Sequence, residues 1–324
     1  MKAILCKAFG EPDTLVLEDI DSPKVRGGEV KIRVRACGVN FPDLLMIQGK
    51  YQVKPDFPFS PGAEVAGDVL EVGTGVDNIK VGDRVIGIVN QGGFAEEVIA
   101  PAMMTLPMPD SMSYEHGAVF SLVYGTSHLG LSRRANLQAG ETLLVLGAAG
   151  GVGLTAVEIG KLMGATVIAA ASTDEKLALT REYGADHTIN YTEENLRDTV
   201  KDITDGQFAD VIYDPVGGDI FDAAVRCMAW ESRYLVIGFA SGRIPELAAN
   251  RVLIKNSSLV GLYWGAYAFK NPAVMQNSFQ KLFQWYSEGK VKPHIDRSYP
   301  LADAAQALIA LGSRQAKGKL VIIP

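Results

Sequence analysis

Apolar positions change their period sharply in the middle of the chain. Leu143–Ala148 runs through six apolar or small residues without a polar break, which predicts a strand covered on both faces. From Val152 the apolar residues fall at Val152, Ala156, Ile159 and Met163, one face of a helix. The pattern then repeats. Strands are predicted at Thr166–Ala171, His187–Asn190, Asp210–Asp214, Tyr234–Gly238 and Leu259–Leu262. Helices are predicted at Glu175–Tyr183, Glu193–Thr204 and Ile220–Ala229. Alternating strands and helices with continuously apolar strands predict an α/β unit, a doubly wound parallel sheet with helices on both sides. The first 120 or so residues read differently. Short segments at Val30–Arg35, Glu64–Val72, Arg84–Val89 and Phe94–Ala100 are separated by turn signals such as Val81-Gly82-Asp83 and Gly92-Gly93, which predicts a β-rich, barrel-like domain. One helix interrupts it at Phe41–Gln48, with Pro42 in its first turn. Near the end, Asn271-Pro272 opens a helix that runs to Glu288, and helix Leu301–Leu311 and strand Lys319–Ile323 follow.

Composition narrows the function classes. With 324 residues the chain favours two domains. A net charge of -6 argues against a general attraction to nucleic acid or to an anionic membrane surface, so neither is an expected partner. The three cysteines, Cys6, Cys37 and Cys227, form no C-x-x-C pair, which disfavours a disulfide framework or a thiolate-rich metal site and favours a reducing compartment. The opening MKAILCKAFGEPD meets Lys7 and Glu11 too early for a signal peptide, and no uncharged apolar run is long enough to span a membrane. The expected location is the cytoplasm.

Ala148-Ala149-Gly150-Gly151-Val152-Gly153 stands where the first strand hands over to the first helix. A turn so bare of side chains lets backbone approach a pyrophosphate, lets the helix pack closely on the strand, and aims a helix N-terminus at the phosphates. The spacing follows G-x-G-x-x-G except that Ala148 replaces its first glycine. The end of the next strand discriminates between the two nicotinamide dinucleotides. An acidic residue there would hold a ribose 2′-hydroxyl. The chain instead reads Ala170-Ala171-Ser172-Thr173, with Asp174 expected to cap the following helix and with Ser172 and Lys176 suited to a 2′-phosphate. NADPH is the expected cofactor.

AAGGVG, Gly184-Ala185-Asp186, "CGVNFPDLLMIQGKY", "PFSPGAEVAGDV", "VGDRVIG", "YGTSHLGL", "DPVGGDIF" and "GKLVI" together resemble the medium-chain dehydrogenase/reductase superfamily. Within it, the chain resembles the zinc-free NADPH:quinone oxidoreductases of the zeta-crystallin type along essentially its whole length. The resemblance implies a GroES-like β-rich domain over 1–122, completed by 291–324, and a Rossmann domain over 123–290. It also implies a cofactor held in the cleft between them and a homodimer. Zinc-containing relatives carry a Cys ligand where this chain has Asn40 and a His where it has Ala63, and their four-cysteine lobe has no counterpart after Arg84. Zinc needs about four N, S or O ligands, so no metal is expected.

The resemblance places Asn40 beside the nicotinamide as a donor to the acceptor oxygen, with a turn amide as its plain alternative. Tyr51 lines the acceptor pocket or is a surface tyrosine, and Asp43 reads as a structural acceptor. Thr126 contacts the nicotinamide end. Gly150, Gly151 and Val152 offer N–H groups to the pyrophosphate. Ser172, Lys176, Tyr191 and Arg314 surround the 2′-phosphate and adenosine. Val216, Gly238, Phe239 and Ala240 form ligand-facing backbone at the carboxyl edge of the sheet. Tyr263 and Trp264 cover the nicotinamide end, or belong to the core or a dimer interface. His128 has no acid–base partner in sequence and reads as structural.

Without a Lewis acid, an alcohol is hard to oxidise, but hydride donation to an electron-poor acceptor stays feasible. A small-molecule quinone is therefore the expected substrate. Two alternatives stay open: reduction of an α,β-unsaturated carbonyl or enoyl thioester, for which Tyr51 or Tyr263 would supply a proton, and a non-catalytic NADPH-binding protein.

Overall fold

The computed structural model describes residues 1–324. In chain order its strands are β1 (Lys2–Leu5), β2 (Val16–Asp19), β3 (Glu29–Val39), β4 (Glu64–Val72), β5 (Arg84–Ile88), β6 (Glu97–Pro101), β7 (Thr105–Pro107), β8 (Thr142–Leu146), β9 (Thr166–Ala171), β10 (His187–Asn190), β11 (Ala209–Asp214), β12 (Met228–Val236), β13 (Ser258–Gly261), β14 (Ile295–Pro300) and β15 (Lys319–Ile323). The helices are α1 (Phe41–Ile47), α2 (Tyr114–Ala118), α3 (Ser121–Leu129), α4 (Gly151–Leu162), α5 (Asp174–Glu182), α6 (Leu196–Ile203), α7 (Gly218–Ala224), α8 (Asn250–Leu253), α9 (Tyr267–Lys270), α10 (Pro272–Ser287) and α11 (Ala304–Gly312). The chain forms two compact units, Met1–Leu122 with Pro293–Pro324, and Val123–Lys292.

The first unit is built on a seven-stranded sheet of order β14-β15-β3-β4-β5-β7, with β6 on β3. β3 pairs with β4 along most of its length, with β6 at its start and with β15 at its end, all antiparallel. Ile32 and Cys37 on β3, Val65 on β4 and Phe94 have their side chains sealed in one core with Leu308 of α11 and Ile322 of β15. The return of residues 293–324 is thus part of this core. The hairpin β1–β2 had no counterpart among the predicted elements, because β2 is mostly exposed and lacks a buried alternation.

The second unit holds a six-stranded, all-parallel sheet of order β10-β9-β8-β11-β12-β13. Chain order reverses between β8 and β11, so the carboxyl ends of those two strands make the crevice where such sheets take ligands. Leu143, Leu144, Val145 and Leu146 of β8 have no exposure at all. Burial of each is worth about 1.5–3 kcal/mol, and it explains their unbroken apolar run. β13 is an edge strand with Leu259 half exposed. No helix in the structure is long and apolar enough to cross a membrane.

Among the boundaries that differ from the sequence reading, three have a clear local cause. The helix expected at Ile220–Ala229 stops at Ala224, passes through a short turn and yields to β12 from Met228. Met228 pairs with Ala209, and Glu231 takes a left-handed φ of 57° where the register shifts. The run Val225–Ala229 is apolar enough to suit either period. Helix α6 begins only at Leu196, because Asn195 caps it by accepting from Asp198 N. The cap of α5 is Thr173, which accepts from Lys176 N; Asp174 is already helical and instead accepts from Asn190 Nδ2 at 3.1 Å.

Within the second unit, Glu158 of α4 is buried and ties its two ends together. Its Oε2 accepts from Tyr124 Oη at 2.7 Å and its Oε1 from Lys292 N at 2.9 Å. Burial pushes its pKa up to about 7, only partly offset by those two donors. The folded state therefore holds a proton more tightly than the unfolded chain between about pH 4.5 and about pH 7. This contribution to stability is complete below that window and is lost as pH rises through it. Glu158→Gln imitates the protonated form. It is expected to be more stable than wild type by about 2–3 kcal/mol at pH 8 and equal to it near pH 4.5. All three tryptophans (Trp230, Trp264, Trp285) lie in this unit, so denaturant unfolding followed by their fluorescence reads it directly. An equal difference at both pH values would refute the assignment.

Candidate functional site

The second unit assembles its nucleotide features at the crevice. Gly147 takes a left-handed φ of 56°, and Gly150 is the N-cap of α4, with no side chain capping the helix. A Cβ at Gly153 would strike Gly147 O and Ala148 Cα, so the helix can meet the strand this closely only through glycine. Gly151 and Val152 are the first residues of α4, and their N–H groups lie in the turn that has no intrahelical partner. Gly150 departs from expectation. Its N–H donates to Gly147 O at 3.0 Å, closing the turn, so it is not available to a phosphate.

At the end of β9, Lys176 Nζ donates to Ser172 Oγ at 3.3 Å. Tyr191 follows β10, donates its N–H to Ala171 O at 3.2 Å, and packs half-buried on the core beside this corner. Ser172, Lys176 and Tyr191 are thus brought together with no carboxylate ending β9. Arg314 belongs to the first unit, after α11, with a left-handed φ of 58°, and is not part of the corner that the second unit builds by itself.

Val216, Gly238, Phe239 and Ala240 sit in the two loops at the carboxyl ends of β11 and β12. Ala240 N donates to Pro215 O at 3.1 Å, and Val216 lies where a Cβ on Gly147 would touch it. Thr126 is half-buried on α3. Tyr263 and Trp264 separate. Tyr263 is 65% exposed, whereas Trp264 is 7% exposed and packs edge-on against Phe279, filling the space a Cβ on Gly125 would occupy. Trp264 is therefore a core piece, and its indole N–H has no partner. His128 is held by Ser278 Oγ at 2.7 Å and by the edge of Trp285, and burial lowers its pKa to about 4, so it is neutral and structural.

The first unit contains a buried charged cluster. Lys319 Nζ donates to Val39 O at 2.8 Å and to Asn40 Oδ1 at 2.5 Å, and lies 3.4 Å from Glu64 Oε1. Glu64 Oε2 accepts from Ser121 Oγ at 2.7 Å and from Leu122 N at 2.9 Å. Asp43 closes the capping box of α1, accepting from Asn40 N at 2.8 Å and from Gly62 N at 3.2 Å; burial pushes its pKa up to about 7. Asn40 Nδ2 donates to Gly38 O and to Glu64 Oε1, both at 3.2 Å. Both amide hydrogens are thus engaged within the unit, in the turn-amide role that the sequence reading gave as the plain alternative for Asn40. Tyr51 packs half-buried on the core of the same unit. Cys37 is fully buried, and its thiol pKa is pushed well up by burial and by the nearby carboxylates. No group of three or more His, Cys, Asp or Glu side chains is arranged to hold a metal ion.

Residues 26–110 match the family described as alcohol dehydrogenase GroES-like domain, and residues 151–288 match zinc-binding dehydrogenase. The chain is 43% identical over 325 residues to quinone oxidoreductase-like protein 2 homolog of Nematostella vectensis, covering 99% of this chain and 88% of that one. The chain belongs to the medium-chain dehydrogenase/reductase family. It is also 39% identical to quinone oxidoreductase-like protein 2 of Bos taurus, over 99% of this chain and 92% of that one. Among solved structures it is similar to Escherichia coli quinone oxidoreductase complexed with NADPH, with a TM-score of 0.93, 29% identity and full coverage of both chains. Within this medium-chain dehydrogenase/reductase, the sequence reading missed Lys319, Asp214 and Glu158 as organising groups. Each is a charged residue beside or inside an apolar run, which was the one signal available.

Lys319→Met removes one partner of a buried ion pair. It is expected to cost about 3–5 kcal/mol, and adding Glu64→Gln is expected to restore at least half. Amide hydrogen exchange in β3 and β15 measures both. A single variant no less protected than wild type would refute the pairing.

Proposed function

We propose that the protein is an NADPH-dependent reductase that passes hydride directly to a quinone-like acceptor without a metal. The observation that carries the cofactor choice is the corner at the end of β9, where Lys176 and Ser172 stand together and the strand itself ends without the carboxylate that would hold a ribose 2′-hydroxyl. Gly151 and Val152 direct N–H groups at the pyrophosphate, and the bare turn admits it. When bound, NADPH supplies the hydride. Metal independence is supported by the chemistry of the first unit: the Lys319 ammonium occupies the neighbourhood of Asn40 and Glu64, and a fixed positive charge there opposes a divalent cation. With no Lewis acid, the acceptor must bring its own electrophilicity, as a quinone does. The names of the relatives agree with this reading. A second reading, reduction of an α,β-unsaturated carbonyl, is favoured only by Tyr263, whose exposed hydroxyl at the carboxyl edge is free of the core. Burial of all three free cysteines suits a reducing, cytoplasmic setting.

Stopped-flow oxidation of NADPH with a panel of quinones and enones tests the reaction. Turnover with quinones is expected, and its absence with every quinone rejects the acceptor. In the same assay Lys176→Ala is expected to raise KM for NADPH about 10–100-fold while leaving KM for NADH within about twofold, since a hydrogen bond to a charged group is worth about 1.5–3 kcal/mol. Equal effects on both cofactors would remove Lys176 from the 2′-phosphate.

A further inference from the structure

Both loops at the crevice converge on one buried carboxylate. Asp214 ends β11 at 1% exposure. Its Oδ1 accepts from Val216 N at 2.7 Å and Gly217 N at 2.9 Å, and its Oδ2 accepts from Tyr234 Oη at 2.8 Å. Its main-chain oxygen accepts from Ile237 N at 2.9 Å and Gly238 N at 3.3 Å. The loop after β11 and the loop after β12 are thus pinned to the same residue, one through its side chain and the other through its backbone. They are also bonded to each other: Ser241 N donates to Val216 O at 2.9 Å and Gly218 N to Arg243 O at 3.1 Å. Gly217 and Gly218 take left-handed φ values of 65° and 61°, and a Cβ on Gly217 would press on the Phe239 ring and on Arg243 O. The remaining link leads to the glycine turn. Val216 Cγ2 fills the space above Gly147, 2.8 Å from where a Cβ there would stand.

We propose that Asp214 is a positioning residue for the nicotinamide cofactor: it touches no ligand itself, but sets Val216 against Gly147 and holds the 237–243 loop in register beside it. The proposal rests on the NADPH reading given above. With Asp214 removed, two N–H groups of a tight turn lose their acceptor and the Tyr234 hydroxyl loses its partner, in a buried place where water does not readily replace them. The turn then relaxes, and Val216 leaves the edge of the glycine turn.

NADPH titration by fluorescence, on the intact chain, tests this. Asp214→Ala is expected to weaken NADPH binding about tenfold or more. Asp214→Asn keeps one oxygen for both N–H groups and is expected to stay within about threefold of wild type. Val200→Ala, a core truncation on α6, serves as a stability control, expected to lower the melting temperature while leaving NADPH affinity within about twofold. A folded Asp214→Ala protein that binds NADPH less than threefold more weakly than wild type overturns the proposal, as does an equal loss in Val200→Ala. Should Asp214→Ala not fold, Tyr234→Phe decides: a threefold or greater weakening supports the proposal and a smaller one overturns it. Wild-type protein that binds no NADPH would instead overturn the cofactor reading itself.

Discussion

The close approach of α4 to β8 is the constraint on which the rest depends. No side chain fits at Gly153, because a Cβ there would collide with Gly147 O. That proximity brings the start of a helix, with its unpaired N–H groups, to the crevice where strand order reverses. Gly150 uses its own N–H to close the bend. Two donors, Gly151 and Val152, are left in the first turn of α4 without intrahelical partners. The neighbouring corner of Ser172, Lys176 and Tyr191 and the loops pinned by Asp214 are arranged along the same carboxyl edge of one sheet.

The first unit solves a different problem. Glu64 and Asp43 have no exposure, and Lys319 has almost none. A buried carboxylate is costly unless paired and hydrogen-bonded. Here Glu64 receives Asn40, Ser121 and Leu122 as donors with an ammonium 3.4 Å away. The same cluster fixes the N-termini of α1 and α3, since Asn40 caps the first and Glu64 accepts from Leu122 N of the second.

Much of the parallel sheet was legible because both its faces are covered. Leu143–Leu146 and Thr166–Ala171 read as continuous apolar runs for that physical reason. The corner at Ser172 and Lys176 was legible because an absent carboxylate is visible in sequence. Other features were not. Val225–Ala229 suits either period, and only pairing of Met228 with Ala209 decides it. Lys319 is only the first residue of a short strand in sequence, and its partners Val39 and Asn40 lie about 280 residues away in the chain. Asp214 reads as the polar end of a strand, and its hub role depends on a hydroxyl twenty residues downstream on β12. Trp264 reads in sequence either as a cover for the nicotinamide end or as part of the core or an interface, and the bare face of Gly125, invisible in sequence, is what draws it into the core.

The central claim is that the bare turn at the start of α4 receives a pyrophosphate. An amide-resolved NMR titration of the intact chain with NADPH tests it most directly. The account predicts that the Gly151 and Val152 amide signals shift saturably as NADPH is added, while the Gly150 amide, already bonded to Gly147 O, moves least of the three. NADPH that binds, as judged by its own fluorescence, while the Gly151 and Val152 signals stay in place would contradict it.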